Sequence, residues 1–472
     1  MAPRLRGEAQ GVFARGFQVV DGTGADHHQK PVIGAMEDAM DGLAGLEGRS
    51  GRLLRNGILG EDLFWGGQFL DGLNADIVRN RPVFVRHETT HSTLVEIGAF
   101  YRIRMEDFFD PPPDPRLPSR PRKGRGAVGN VDHRFTAWSR QAEDDGWWQD
   151  ETPAPATHLR VDNAKSILSW NESPDLGFDR SLNPYRGCEH GCVYCYARPT
   201  HAWLGLSPGL DFETRLFYKP DAVSLLRTEL AAPGYVCQPI ALGTATDAYQ
   251  PVERTQRLTR ALLEALIGLD HPATLVTKSA LVARDADLWS TLASRSLAAI
   301  AVSITGLDSE LSRRLEPRAA TPAARLRTVQ TLADAGVPVG VLVAPIIPAL
   351  NDHQLEAVLE AACDHGARFA GYTLLRLPHE VAGLFSEWLA HHAPEKAARL
   401  MAILYDLRGG RANDPTFGRR MTGLGHYADL IRQRFELACR RLGLATQWPQ
   451  LDCSRFRPPA TTRGAGGQLS LF

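Results

Sequence analysis

The spacing of apolar residues changes twice along the chain. Over residues 1–104 no period is sustained, and runs such as LFWGGQFLDGL are broken by glycine. A proline-rich, increasingly basic stretch follows, MEDFFDPPPDPRLPSRPRKGRG, whose composition predicts an extended arm over residues 105–160. From about Lys165 to about Leu444 short, nearly continuous apolar runs alternate with amphipathic stretches. The runs PIALGT (239–244), ATLVT (273–277), AIAVSI (299–304), VPVGVLVAP (337–345) and FAGYTLLRL (369–377) read as parallel strands covered on both faces.

The intervening segments carry helix punctuation. In TPAARLRTVQTLADAG, Thr321 is an expected N-cap, Pro322 suits the first helical position, and Leu326, Val329 and Leu332 share a face before Gly336 closes the helix. NDHQLEAVLEAACDHG repeats the plan, with Asn351 or Asp352 as cap, Leu355, Val358, Leu359 and Ala362 inward, and Gly366 as the stop. Strand–helix units recurring about every 30 residues predict an α/β parallel sheet, open or closed into a barrel, with its chemistry at the C-terminal strand ends. The expected organisation is an N-terminal extension (1–104), the arm (105–160), a core (161–445) and a C-terminal tail (446–472).

The totals narrow the class. At 472 residues the length suggests two or three units, and an apolar fraction of 43 % supplies a large core. No stretch approaches the roughly 18 apolar residues of a membrane span, and MAPRLRGEAQ lacks the apolar run of a secretory signal. With a net charge of −1 the chain is no polycation, so nucleic-acid binding requires a local patch. Seven cysteines, three of them within eight residues, do not form a secreted disulfide framework and point to the cytoplasm.

Those three give the strongest chemical signal. NPYRGCEHGCVYCYARP places Cys188, Cys192 and Cys195 in C-x3-C-x2-C spacing, with Gly187 and Gly191 letting the backbone wrap. Three thiolates on one loop suit an iron–sulfur cluster with one open iron. The spacing alone also admits a Cys3His zinc site, with His190 or His201 as fourth ligand. Cys237, Cys363, Cys439 and Cys453 show no ligand spacing and read as free thiols.

With Tyr194 before the last cysteine, the loop resembles that of the radical S-adenosylmethionine superfamily. SLNPYRGCEHGCVYCYARP, GTATDAYQPVE, LVTKS, AVSIT, LEPRAATP and APIIPALND together resemble its spore photoproduct lyase-like branch, over about residues 122–472. The resemblance implies a partial (β/α)6 barrel with the cysteine loop after its first strand. It implies a [4Fe–4S] cluster on Cys188, Cys192 and Cys195 whose open iron binds S-adenosyl-L-methionine. One-electron cleavage would give a 5′-deoxyadenosyl radical, so the resemblance also implies an electron donor such as flavodoxin or ferredoxin. Tyr194 would lie against the adenine, Thr246 and Asp247 would hold polar groups of the cofactor, Lys278 its carboxylate and Ser303 its ribose, and Ala344 would line the adenine. Thr244 stands where the photoproduct lyase has a cysteine hydrogen donor, and an O–H hydrogen is much harder to abstract than an S–H hydrogen. Tyr196 matches the tyrosine of that relay.

Five further features remain. HETTH at 87–91 matches a zinc-protease motif that works only on a helix, yet VFVRHETTHSTLV is rich in β-branched residues. Residues 1–104 lie outside the resemblance and their periodicity is weak, with Met105 standing where readable sequence begins, as an over-extended gene start would leave them. At the other end QLSLF, Gln468–Phe472, resembles the peptide by which bacterial DNA polymerases and repair proteins bind the sliding clamp. Arg116, Arg120, Arg122, Lys123 and Arg125 supply a basic run suited to phosphates, and the Trp147–Trp148 pair reads as docking on the barrel.

Overall fold

The computed structural model describes residues 121–136 and 155–459, with the backbone of two short strands, β1 (Val83–Arg86) and β2 (Leu94–Ile97). The chain divides after Asp114 into two units. In the first, β1 and β2 pair antiparallel, Val83 opposite Ile97. HETTH between them lies outside the described residues, as do the rest of residues 1–104, Arg116, Arg120, the Trp147–Trp148 pair and the QLSLF tail.

In the second unit, the strands are β3 (His158–Val161), β4 (Leu168–Trp170), β5 (Arg180–Leu182), β6 (Tyr185–Arg186), β7 (Arg215–Tyr218), β8 (Ile240–Leu242), β9 (Ala273–Thr277), β10 (Ala298–Ser303), β11 (Val339–Ile346) and β12 (Phe369–Leu374). β3, β7 and β6 form a small sheet. The main sheet has the order β12-β11-β10-β9-β8-β5-β4. Its first six members are parallel, and β4 is an antiparallel edge strand. These six strands are the partial barrel that the resemblance implies, five of them arising from the apolar runs, and all six residues of β10 are buried.

Crossovers run through helices Ala222–Leu230, Leu258–Gly268, Ala286–Ala293, Pro322–Asp334 and Leu355–Asp364. Thr321 caps its helix by accepting from the Ala324 amide at 3.3 Å, and Gly336 follows the helix with φ of +76°. The cap expected at Asn351 or Asp352 is absent. Asn351 turns inward instead, accepting from Ile347 N at 2.6 Å and donating to Thr305 O at 2.7 Å, so it ties the ends of two strands together. In the Pro322–Asp334 helix Leu326 packs against the core as expected, and Arg325 is buried beside it, drawn in by the Glu316 carboxylate.

The two sheet edges, β4 and β12, do not pair. Asp175, in the loop between β4 and β5, ion-pairs with Arg420 beyond β12 at 2.7 Å and accepts from Gly418 N at 2.6 Å. Among the described residues no helix is long and apolar enough to cross a membrane.

Candidate active site

The cysteine loop leaves the C-terminal end of β5, the first barrel strand. Cys188 and Cys192 are buried and Cys195 is partly buried. Gly191 has φ of +68°, and a Cβ there would stand 2.7 Å from Glu213 Oε2, so the loop requires glycine for both conformation and space. Burial, then the Asp247 carboxylate and the other two thiols, pushes the Cys188 thiol well above its ordinary value. Three deprotonated sulfurs in so dry and so negative a setting need a cationic centre, and that donor set fits an iron–sulfur cluster. Among the described residues no three His, Cys, Asp or Glu side chains group as the ligands of a single ion.

Neither histidine supports the zinc alternative. His201 Nε2 lies 3.0 Å from Arg215 O, and burial lowers its pKa to about 4, leaving a neutral core imidazole. His190 Nδ1 faces Asp247 at 3.3 Å.

Part of the basic arm packs on this loop. Gly126 lies so close that a Cβ would fall 1.7 Å from Gly191 O. The Gly126 and Ala127 amides donate to the Glu213 carboxylate at 3.0 and 2.8 Å. Arg198, fully buried, pairs with the same carboxylate and donates to Cys192 O (2.8 Å) and Gly191 O (3.2 Å). Arg125 is also buried, donating to Glu213 O at 2.9 Å and Pro155 O at 2.6 Å, so it is spent on the fold instead of on phosphates. The strap and the Arg198–Glu213 pair hold the loop carbonyls in place. Sequence patterning missed them, because Arg198 and Glu213 lie 15 residues apart with no motif between.

The other strand ends supply polar groups. Lys278, just after β9, donates from Nζ to Ser303 Oγ at 2.7 Å and to Ala344 O at 3.2 Å, so three of the expected cofactor residues meet. Ser303 closes β10 and Ala344 lies in β11. Asp247, after β8, accepts from Thr277 Oγ1 (2.8 Å), Lys278 N (2.9 Å) and Tyr249 N (2.8 Å). Burial raises the Asp247 carboxyl, but His190 and these donors outweigh it and hold it at about 2. The carboxylate thus knits the ends of β8 and β9 to the cysteine loop. Thr246 donates to Gly187 O at 2.6 Å and does the same from its side.

Glu316, in LEPRAATP, is a site residue that the spacing of the motif does not announce. Buried, it accepts from Tyr194 OH, Thr305 Oγ1 and the Arg325 guanidinium, with Lys278 Nζ at 4.0 Å. Burial works to raise its carboxyl, yet Arg325 and Lys278 bring it down to about 2. The Tyr194 ring is thereby fixed beside the cysteines, with Lys278 Nζ 5.9 Å from its centroid. Tyr196 faces outward instead, 49 % exposed, its hydroxyl donating to Thr244 O. Of the remaining cysteines, Cys439 is buried and Cys363 Sγ lies 3.5 Å from Leu442 O. The Cys237 and Cys453 thiols adjoin one another, a proximity that their 216-residue separation concealed.

Comparison with known proteins bears on the same region. Residues 182–362 match the family model for the radical SAM superfamily. An uncharacterised protein of Mycobacterium tuberculosis is 37 % identical over 226 residues, covering 48 % of this chain and 66 % of its own length, just short of two thirds. One of Methanocaldococcus jannaschii is 29 % identical over 196 residues, covering 41 % of this chain and 70 % of that relative. A solved spore photoproduct lyase complexed with dinucleoside spore photoproduct superposes with TM-score 0.44 and 15 % identity, over 61 % of this chain and 82 % of that one. Residues 182–362, which hold the three-cysteine loop and the strand ends around it, are therefore a radical SAM domain.

Proposed function

We propose that the chain is a radical S-adenosylmethionine enzyme acting on DNA in a lyase-like repair reaction, with a flavodoxin- or ferredoxin-type protein as reductant. The observation that carries the catalytic part is the convergence of three thiols with Lys278, Ser303 and Ala344 at one end of the parallel strands. The bound cluster and S-adenosylmethionine would supply one-electron cleavage of a sulfonium and, through it, hydrogen abstraction. Cys188, Cys192 and Cys195 would hold the cluster, and the Lys278 ammonium would face the cofactor carboxylate. Tyr194, locked by Glu316, would present its ring to the adenine, with Ser303 and Ala344 beside it. Asp247 and Thr246 would fix the loop that carries the cysteines. With Thr244 in place of a thiol, Tyr196 is the hydrogen or proton donor nearest the mouth.

The test is anaerobic reconstitution of the full chain. Iron–sulfur absorption and release of 5′-deoxyadenosine on reduction are expected, and Cys192→Ala should lose both. Retention of both by that variant would overturn the reading. DNA as target is supported by the QLSLF peptide and by the resemblance of the motif strings to the photoproduct lyase branch. Capture of the protein by a bacterial sliding clamp, abolished when residues 468–472 are deleted, is the expected result; no capture of the full chain would remove that support.

A further inference from the structure

Arg376 lies two residues beyond β12, at the same end of the sheet as the cysteine loop. Its guanidinium stands 4.7 Å from the centroid of the Tyr196 ring and is partly buried. Among the described residues it has no hydrogen-bond or ion-pair partner. Its surroundings do not neutralise it. Arg408, 1 % exposed, donates to the carbonyls of Leu374 (2.9 Å), Leu375 (2.7 Å), Arg419 (3.1 Å) and Arg420 (2.9 Å), and to no carboxylate. Burial, then Arg376, lowers Arg408 to about 10. Arg420 is matched by Asp175, and Asp414 stands in the fields of Arg419 and Arg408. Four guanidiniums therefore share two carboxylates at this rim.

A guanidinium taken partly out of water without an acceptor is costly, and its planar fork matches the two free oxygens of a phosphodiester. The aromatic ring against it, half exposed and one residue from Cys195, offers a surface on which a base can stack. We propose that Arg376 and Tyr196 form a substrate-binding clamp for one nucleotide of an unstacked nucleic-acid strand, Arg376 taking the phosphodiester and Tyr196 the base. Arg408 positions Arg376 by tying the backbone after β12 to the loop that carries Arg419 and Arg420. The assignment rests on the reading of this strand end as the substrate mouth, and deepens it by naming the group that recognises the backbone.

The experiment measures binding of the full-length, cluster-loaded protein to a fluorescein-labelled single-stranded oligodeoxynucleotide by anisotropy over a salt series. A methylphosphonate oligonucleotide of the same sequence is the neutral control. Arg376→Ala should weaken binding to the charged strand about tenfold and reduce the slope of log K against log salt by about 0.7. Arg376→Lys should restore the slope but not the full affinity. The neutral strand should not distinguish Arg376→Ala from the wild type. Equal affinity and slope for the wild type and Arg376→Ala on the charged strand would overturn the proposal, as would an equal loss on both strands or no binding by the wild type. Release of 5′-deoxyadenosine by the same wild-type preparation is recorded separately. Its absence would sink the enzymatic reading while leaving the binding result to stand.

Discussion

Replacing Glu213 by alanine removes the acceptor on which the cysteine loop's support converges. The carboxylate has no solvent exposure, and neither does Arg198, with which it pairs. Without it the Arg198 cation retains only carbonyl acceptors, those of Gly191, Cys192, Pro208 and Gly209. Breaking a buried pair from one side costs about 3–5 kcal/mol. The Gly126 and Ala127 amides also lose their acceptor, at about 1–3 kcal/mol each when they stay buried. These costs do not add, because a strap released from the loop lets water reach both amides and the cation, so a total near 4 kcal/mol is expected. Two measurements check it: urea unfolding of the full chain, and iodoacetamide labelling of the cluster-free protein with mass-spectrometric assignment. Cys188, Cys192 and Cys195 should label faster in the variant while Cys439, in a different part of the core, keeps its rate. Exchanging Arg198 and Glu213 together for methionine and leucine should recover much of the stability, since no charge is then left alone. Destabilisation below about 1 kcal/mol with an unchanged labelling pattern would refute the role given to this pair.

Two further outcomes follow from the same geometry. Glu316 titrates at about 2 in the fold against an ordinary value of 4.5, so its contribution is complete above pH 4.5 and is lost as the pH falls towards 2; the difference is about 3 kcal/mol. Urea unfolding at pH 5 and pH 3 should show the gap between the wild type and Glu316→Gln closing at the lower pH, and a constant gap would contradict the assignment. Lys278→Met should weaken S-adenosylmethionine binding, read by calorimetry on the cluster-loaded protein, by about 1.5–3 kcal/mol, roughly ten- to hundredfold; unchanged affinity would remove Lys278 from the cofactor site.

The local pattern was enough for the sheet and for the cysteine loop. Five apolar runs became β8 to β12 with ends shifted by a few residues at most, because strands of a helix-covered parallel sheet are mostly apolar, even where a single position such as Val276 stays exposed. Thr321 and Gly336 bounded their helix for equally local reasons. The cap assigned to Asn351 failed because a better set of partners lay at Pro345, near the end of β11, and at Thr305, beyond the adjacent strand β10 and 46 residues away in the chain. Arg325 broke the apolar face of its helix for a like reason, its charge being answered by Glu316 on the preceding loop.

The sequence alone therefore determined which residues could carry the chemistry, since three thiols in one short loop and a lysine at a strand end are one-dimensional facts. Only the tertiary structure decided which charges are free to act. Arg125 and Arg376 look alike in the chain, yet one is consumed by carbonyls beneath the cysteine loop and the other, among the described residues, stands unpaired over Tyr196. That difference comes from long-range electrostatic satisfaction, which depends on what the fold brings within about 3 Å and not on what lies adjacent in the chain.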